Sequence, residues 1–153
     1  MGGLTIREVK REIRVLGIDS AVVEDGYVDY VGVVFRGGLW LDGVMQVRVG
    51  DAETDVAGRV ADMILQSPHY GQIRVIMLST SVTGQCLDTG RLTRETRLPV
   101  ILVSEETGEI QGLGIDGLTA RKVVDKTCTF SDVPEPLRVA RLLANCLKDR
   151  GKV

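Results

Sequence analysis

Hydrophobic positions in the first third of the chain form three extended runs, Arg14 to Ile18, Tyr27 to Phe35 and Trp40 to Val49. Each is rich in Val and Ile and broken by turn residues, a pattern that predicts strands. Arg36-Gly37-Gly38-Leu39 is a glycine-containing link of hairpin length, so the second and third strands are expected to pair antiparallel. Glu24-Asp25-Gly26 offers a turn between the first two. Then the period changes. Val56, Val60, Met63 and Ile64 recur at helical spacing, Thr54 or Asp55 can cap the start, and Pro68 closes the segment, which predicts a helix over 55–66.

Ile73 to Leu78 reads as a short apolar strand, followed by a polar loop, a helix around Leu87 to Glu95, and a second apolar strand, Pro99 to Val103. Strand, helix, strand predicts a parallel pair joined by a right-handed crossover. Two more helices are expected, Thr119 to Lys126 and Pro134 to Asp149. Pro134 is tolerated in the first turn of the second, and Asp132 is near enough to cap it or offset its dipole. This last helix has an apolar stripe of Leu137, Ala140, Leu143, Ala144 and Leu147, and a polar one of Arg138, Arg141, Asn145 and Lys148. The polar stripe can follow a nucleic-acid backbone or face solvent. No repeat, low-complexity tract or linker divides the chain, so residues 1–153 are expected to form a single domain. Three antiparallel strands followed by alternating helices and strands is the element order of the ribonuclease H-like fold, an α/β domain with a mixed sheet and helices on both faces. Other mixed α/β domains share that order.

Composition narrows the function classes. No apolar run approaches the ~20 residues of a membrane span, and the start of the chain is polar and mixed in charge, so a soluble cytoplasmic protein is expected. Cys86, Cys128 and Cys146 are odd in number and widely spaced, which argues against a disulfide framework or a zinc site and for small core residues in a reducing compartment. The net charge of −2 hides an asymmetry, since residues 120–153 carry a balance of +4 and leave −6 for the rest. A basic end beside an acidic body suits phosphate binding, although solvated helix faces also look this way. Gly112-x-Gly114-x-x-Gly117 fits a dinucleotide fingerprint as a string but lacks the flanking βαβ pattern, and is read as turns and close packing. His69 has no partner at motif spacing, which leaves Ser79, Ser81 and Ser104 without a triad, and it is expected in a surface turn. Aromatic residues make up 4%, leaving Tyr27, Tyr30 and Trp40 as candidate stacking platforms outside the His69 turn.

One run draws attention for its chemistry. Val15-Leu16-Gly17-Ile18 leads straight into Asp19, which puts a carboxylate at the carboxyl end of a buried central strand. Together with Val33-Val34-Phe35-Arg36-Gly37, Leu98-Pro99-Val100-Ile101 and the string Pro134-Glu135-Pro136-Leu137-Arg138-Val139-Ala140 followed by Leu142-Leu143-Ala144, it resembles the archaeal endonuclease dU family, related to endonuclease V. The similarity runs from about residue 11 to the last helix. It implies a ribonuclease H-like nuclease that cuts the DNA backbone near a deaminated base, uracil or hypoxanthine, using Mg2+ or Mn2+.

Hydrolysis of a phosphodiester needs charge neutralisation and a hydroxide at neutral pH, which one or two Mg2+ ions held by three or four carboxylates supply. The resemblance assigns Asp19 to the metal and to catalysis, the alternative being a turn or cap aspartate that begins a loop. A second acid comes from Asp51-Ala52-Glu53-Thr54-Asp55, with Asp51 and Glu53 as metal ligands, Glu53 also catalytic, and Asp55 equally placed in the string; helix capping is the alternative for this segment. Arg138, Arg141 and Lys148 are the nucleic-acid-binding candidates, DNA is the expected partner, and a homodimer is compatible with the chain. Two departures stand out. The family ends its next strand with Leu-Asp-Gly where this chain has Leu78-Ser79-Thr80, and Ser20 follows Asp19 where a second aspartate is usual. Asp88 could approach the site or lie on a solvated face. A serine cannot supply the missing charge, so a binding-only module on the same fold is the alternative. Glu135, between two prolines in a first helical turn, favours the dipole, and any role at the site rests on the resemblance.

Overall fold

A computed structural model describes residues 8–23, 26–50, 54–83 and 87–150. Its sheet contains β1 (Arg14–Val22), β2 (Tyr27–Arg36), β3 (Trp40–Gly50), β4 (Val75–Ser79), β5 (Val100–Val103) and β6 (Ile110–Leu113). The spatial order is β3-β2-β1-β4-β5-β6. β1, β2 and β3 pair antiparallel, β4 and β5 run parallel to β1, and β6 returns antiparallel to β5. The helices are α1 (Val56–Leu65), α2 (Thr80–Thr83), α3 (Thr89–Thr96), α4 (Gly117–Thr127) and α5 (Glu135–Arg150). This is the α/β mixed sheet that the hydrophobic pattern predicts, including the parallel pair β4 and β5.

Both faces of the central strands are covered, which is why 15–18 and 75–78 read as continuous apolar or glycine runs rather than as alternation. On one face Leu16, Ile18, Ile76 and Leu78 pack with Val60, Ala61 and Ile64 of α1 and Leu92 of α3. On the other, Val15, Val75, Met77 and Ile101 meet Ala120, Val123 and Val124 of α4. Beside them Val31, Val33 and Phe35 of β2 meet Ala140 and Ala144 of α5. Burial of these side chains away from water is the main force holding the layers together.

Local chemistry sets the boundaries. Asp55 caps α1, its carboxylate accepting from the Gly58 N–H at 3.1 Å. Asp116 caps α4 through the Thr119 N–H at 2.8 Å. In the β2–β3 hairpin, Gly37 adopts φ +57°, a left-handed conformation that favours glycine, and donates its N–H to the Ile13 carbonyl at 2.8 Å. Pro134 precedes α5 and its carbonyl accepts from the Leu137 and Arg138 N–H groups, both at 3.0 Å.

The structure departs from the sequence reading in several places. The hydrophobic pattern does not predict β6, because its four residues carry too little apolar pattern; Gly112 lies within it and Gly117 opens α4. α2, a single turn directly after β4, is too short for periodicity to show. His69 is half-buried rather than on the surface, its ring lying against Gly43 of β3. Cys146 is exposed on α5 rather than in the core, Cys128 is half-buried against the core on the α4 side, and Cys86 lies outside the described residues. Among the candidate stacking residues Tyr30 belongs to the core, while Tyr27 and Trp40 are exposed two strands from the site described next or on the strand between.

Candidate nucleic-acid site

The site begins where β1 changes neighbours. Parallel pairing with β4 ends at Ile18 opposite Leu78, whereas antiparallel pairing with β2 continues through Asp19 opposite Val31 to Val22 opposite Val28. Asp19 is therefore not the last residue of its strand, as the sequence suggests; β1 runs on to Val22. It is the first residue left beside an open edge.

Alternation along β1 turns Val15, Gly17, Asp19 and Ala21 toward the α4 and α5 face. A β-carbon on Gly17 would fall 2.4 Å from the Pro136 carbonyl oxygen, so glycine lets the first turn of α5 rest directly on the strand. From that contact α5 passes over Asp19. The carboxylate is buried, with Oδ1 accepting from the Ser20 N–H at 2.8 Å and Oδ2 accepting from Arg141 Nε at 3.0 Å.

The far end of Arg141 is also engaged. Nη1 donates to Oε2 of Glu105 at 2.9 Å, Nη2 donates to Oε1 of the same carboxylate, and Nη2 lies 3.4 Å from Ser81 Oγ. Ser79, the buried last residue of β4, shares a 2.7 Å hydrogen bond with the Ser81 hydroxyl. The Glu105 carboxylate first, and Asp19 after it, hold the guanidinium above its ordinary range against the opposing effect of burial, so it is charged at every working pH. Three adjacent strands thus contribute: β1 gives Asp19 where its pairing with β4 ends, β4 gives Ser79, and Glu105 lies just beyond β5. Such crevices outside the carboxyl ends of strands are where open α/β sheets bind ligands.

At the start of α5, Glu135 is buried and accepts from Arg138 Nε at 2.6 Å and Nη2 at 2.7 Å. A groove of about 760 Å³ runs alongside between α4, α5 and the β5–β6 turn. Arg121, Arg138, Arg141 and Asn145 stand over a floor that includes Val124 and Leu137.

The sequence-derived candidates separate accordingly. Asp19 and Arg141 are in direct contact, and Arg138 lies on the same groove. Lys148 is exposed further along α5 and does not line the groove. Asp51 and Glu53 lie outside the described residues. Asp55 is committed to the α1 cap and to Arg91, whose Nη2 lies 2.9 Å from Oδ2, and Asp88 caps α3 through the Arg91 N–H at 3.1 Å. The sequence does not single out Glu105, and it offers Ser81 only as a serine without a triad. The signal for Glu105 is its place two residues beyond a parallel apolar strand, comparable to Asp19, which directly follows the part of β1 paired with β4.

A divalent ion here would need several oxygen ligands of net negative charge. The described residues offer Asp19 and Glu105, both of whose carboxylates are engaged by Arg141, and the uncharged hydroxyl of Ser79. No three Asp, Glu, His or Cys side chains that could hold a metal converge among the described residues. This set does not fit Mg2+ or Mn2+. Nor is any helix of the described residues long and apolar enough to cross a membrane.

Known proteins resemble this chain in sequence and in fold. The family model described as endonuclease dU matches residues 11–113. The UPF0215 protein of Methanopyrus kandleri is 36% identical, the match covering 92% of this chain and 94% of that one. The UPF0215 protein of Methanosarcina acetivorans is 35% identical over 89% of this chain and 91% of its own. Among solved structures, a protein of unknown function from Archaeoglobus fulgidus superposes with a TM-score of 0.76 at 25% identity, covering 88% and 97%. Human endonuclease V superposes with a TM-score of 0.69 at 15% identity over 92% of this chain and 86% of that one, which identifies the ribonuclease H-like fold.

Proposed function

Because this chain belongs to the endonuclease dU family, we propose that it is a DNA-repair hydrolase that engages DNA at deaminated bases, uracil or hypoxanthine, and cuts the backbone beside them. The observation that carries this reading is a guanidinium, Arg141, held by buried Asp19 at the open edge between β1 and β4. A fixed cation at that edge can neutralise a phosphodiester oxygen, and a preoriented charge stabilises developing negative charge without reorganisation during reaction. Arg138 and Lys148 extend the same exposed flank of α5 and would follow the strand. DNA is the proposed partner. Mg2+ or Mn2+ enters only as a variable of the test, since the described donor set does not fit such an ion.

A second reading is recognition without cleavage. It is favoured by Ser79, a hydroxyl where the family carries an acid, and by the pairing of Asp19 with arginine. One assay separates the two. Labelled oligonucleotides carrying one deoxyuridine or deoxyinosine are incubated with Mg2+, with Mn2+ or with chelator, beside folded Asp19→Ala. Cleavage next to the altered base that disappears in the variant supports the nuclease. Selective binding with no cleavage in any condition supports recognition alone. Neither binding nor cleavage removes both.

A further inference from the structure

The Arg141 fork is filled in this structure by a carboxylate that belongs to the protein itself. Glu105 accepts from both Nη groups side by side, the arrangement in which a guanidinium meets a carboxylate or a phosphate equally well. The two ends of the arginine differ in character. At Nε, Asp19 is buried and anchored by the strand on which it sits. At the Nη end, Glu105 is 39% exposed and stands on the Ser104–Glu109 turn between β5 and β6, which is closed by the Ser104 N–H to Glu109 carbonyl bond at 2.9 Å. Nothing but Arg141 is seen holding the Glu105 side chain among the described residues.

A solvent-facing arginine–carboxylate pair is a weak contact, open to competition and screened by salt. The buried half is not, because removing its partner would leave Asp19 charged in a poorly hydrated place. A phosphodiester carries one negative charge, as Glu105 does, so the exchange leaves the charge around Arg141 unchanged. The Ser81 hydroxyl, 3.4 Å from Nη2, is a further donor for a phosphate oxygen. Arg121 of α4 lines the same groove, as do Asp125 and Asp132.

We propose that the Arg141 fork is a phosphodiester seat that Glu105 keeps closed, with buried Asp19 as the positioning residue that fixes the arginine in both states. The inference rests on the nucleic-acid reading above but can fail separately from it. Nucleic acid displaces the Glu105 carboxylate, the β5–β6 turn swings away, and Nε stays on Asp19.

The test is the affinity of a labelled single-stranded oligonucleotide for the protein, Glu105→Gln, Arg141→Gln and the double variant, by fluorescence anisotropy at fixed salt. Glu105→Gln is expected to tighten binding about 3- to 10-fold, the size of one lost surface competitor or a little more. Arg141→Gln weakens binding and makes the Glu105 substitution silent. An equal gain in the Arg141→Gln background would mean a general charge effect and overturn the seat, as would no gain at all. Asp19→Asn adds a contrast of sign: loss of a negative charge alone would strengthen binding, whereas loss of a positioning residue weakens it. If that variant does not fold, the Glu105 pair decides alone, since Glu105 is at the surface. Inorganic phosphate, followed through the Arg141 Nε–H resonance, separates the failures. A phosphate response larger in Glu105→Gln, with no oligonucleotide bound, keeps the seat and removes the nucleic-acid reading. Oligonucleotide binding that ignores both residues keeps the reading and removes the seat.

Discussion

Arg141 and Asp19, 122 positions apart in the chain, meet through a 3.0 Å hydrogen bond from Nε to Oδ2. The other oxygen of this buried carboxylate, Oδ1, accepts from the Ser20 N–H at 2.8 Å. Arg141→Ala is therefore expected to lower stability by about 1–3 kcal/mol, the cost of leaving a buried acceptor short of its charged partner. Urea unfolding measures it. An unchanged midpoint would mean that Asp19 is hydrated and not held by α5.

Gly17 and Pro136 give a second expectation. With a β-carbon 2.4 Å from the carbonyl oxygen, Gly17→Ala requires α5 to lift from β1. Overpacking of this kind costs roughly 1–3 kcal/mol or more. Because the helix carries Arg141, nucleic-acid affinity should fall together with the denaturation midpoint. A variant as stable as the parent would show that the helix start is loosely seated.

Acid titration probes the other face of the sheet. The hydrogen bond from Arg91, and after it the Gly58 N–H, hold Asp55 below its ordinary value of 3.8. A carboxyl depressed in the folded state contributes stability that is fully present above the unfolded value. It is lost as pH falls from there through the folded value. Asp55→Asn should thus be less stable than the parent at neutral pH, with the gap closing below pH 3.8. Urea midpoints across the acid limb read this directly, and a gap independent of pH would contradict it.

Chelation should leave the fold untouched. The layers are held by apolar packing, and no buried side-chain nitrogen or oxygen among the described residues lacks a hydrogen-bond partner. The melting temperature is expected to be the same with and without EDTA. A fall of several degrees would reveal a structural ion.

The strands and long helices were legible because their patterns are strong: β-branched runs interrupted by glycines, then Val56, Val60 and Ile64 one turn apart. β6 and α2 were not, since four residues give neither period time to repeat. At the site, sequence pointed to Asp19 and Arg141 separately but could not pair them. By sequence alone, one is an acid for metal and the other a cation for phosphate. Their contact depends on α5 folding back over β1 through Gly17, a tertiary relation with no local signature. Glu105 stayed hidden for the same reason, lying in a polar turn that resembles any exposed loop until the strand beside it is placed.

The account's central claim is that nucleic acid meets this protein at the carboxyl ends of β1, β4 and β5. Amide chemical-shift mapping with a deoxyuridine-containing oligonucleotide tests it most directly. The account predicts changes concentrated at Asp19 and Ser20, Ser79 to Ser81, Ser104 to Gly108, and the α5 residues from Leu137 to Asn145. Changes confined to the exposed edge of β3 around Trp40, Leu41 and Val44 would contradict it.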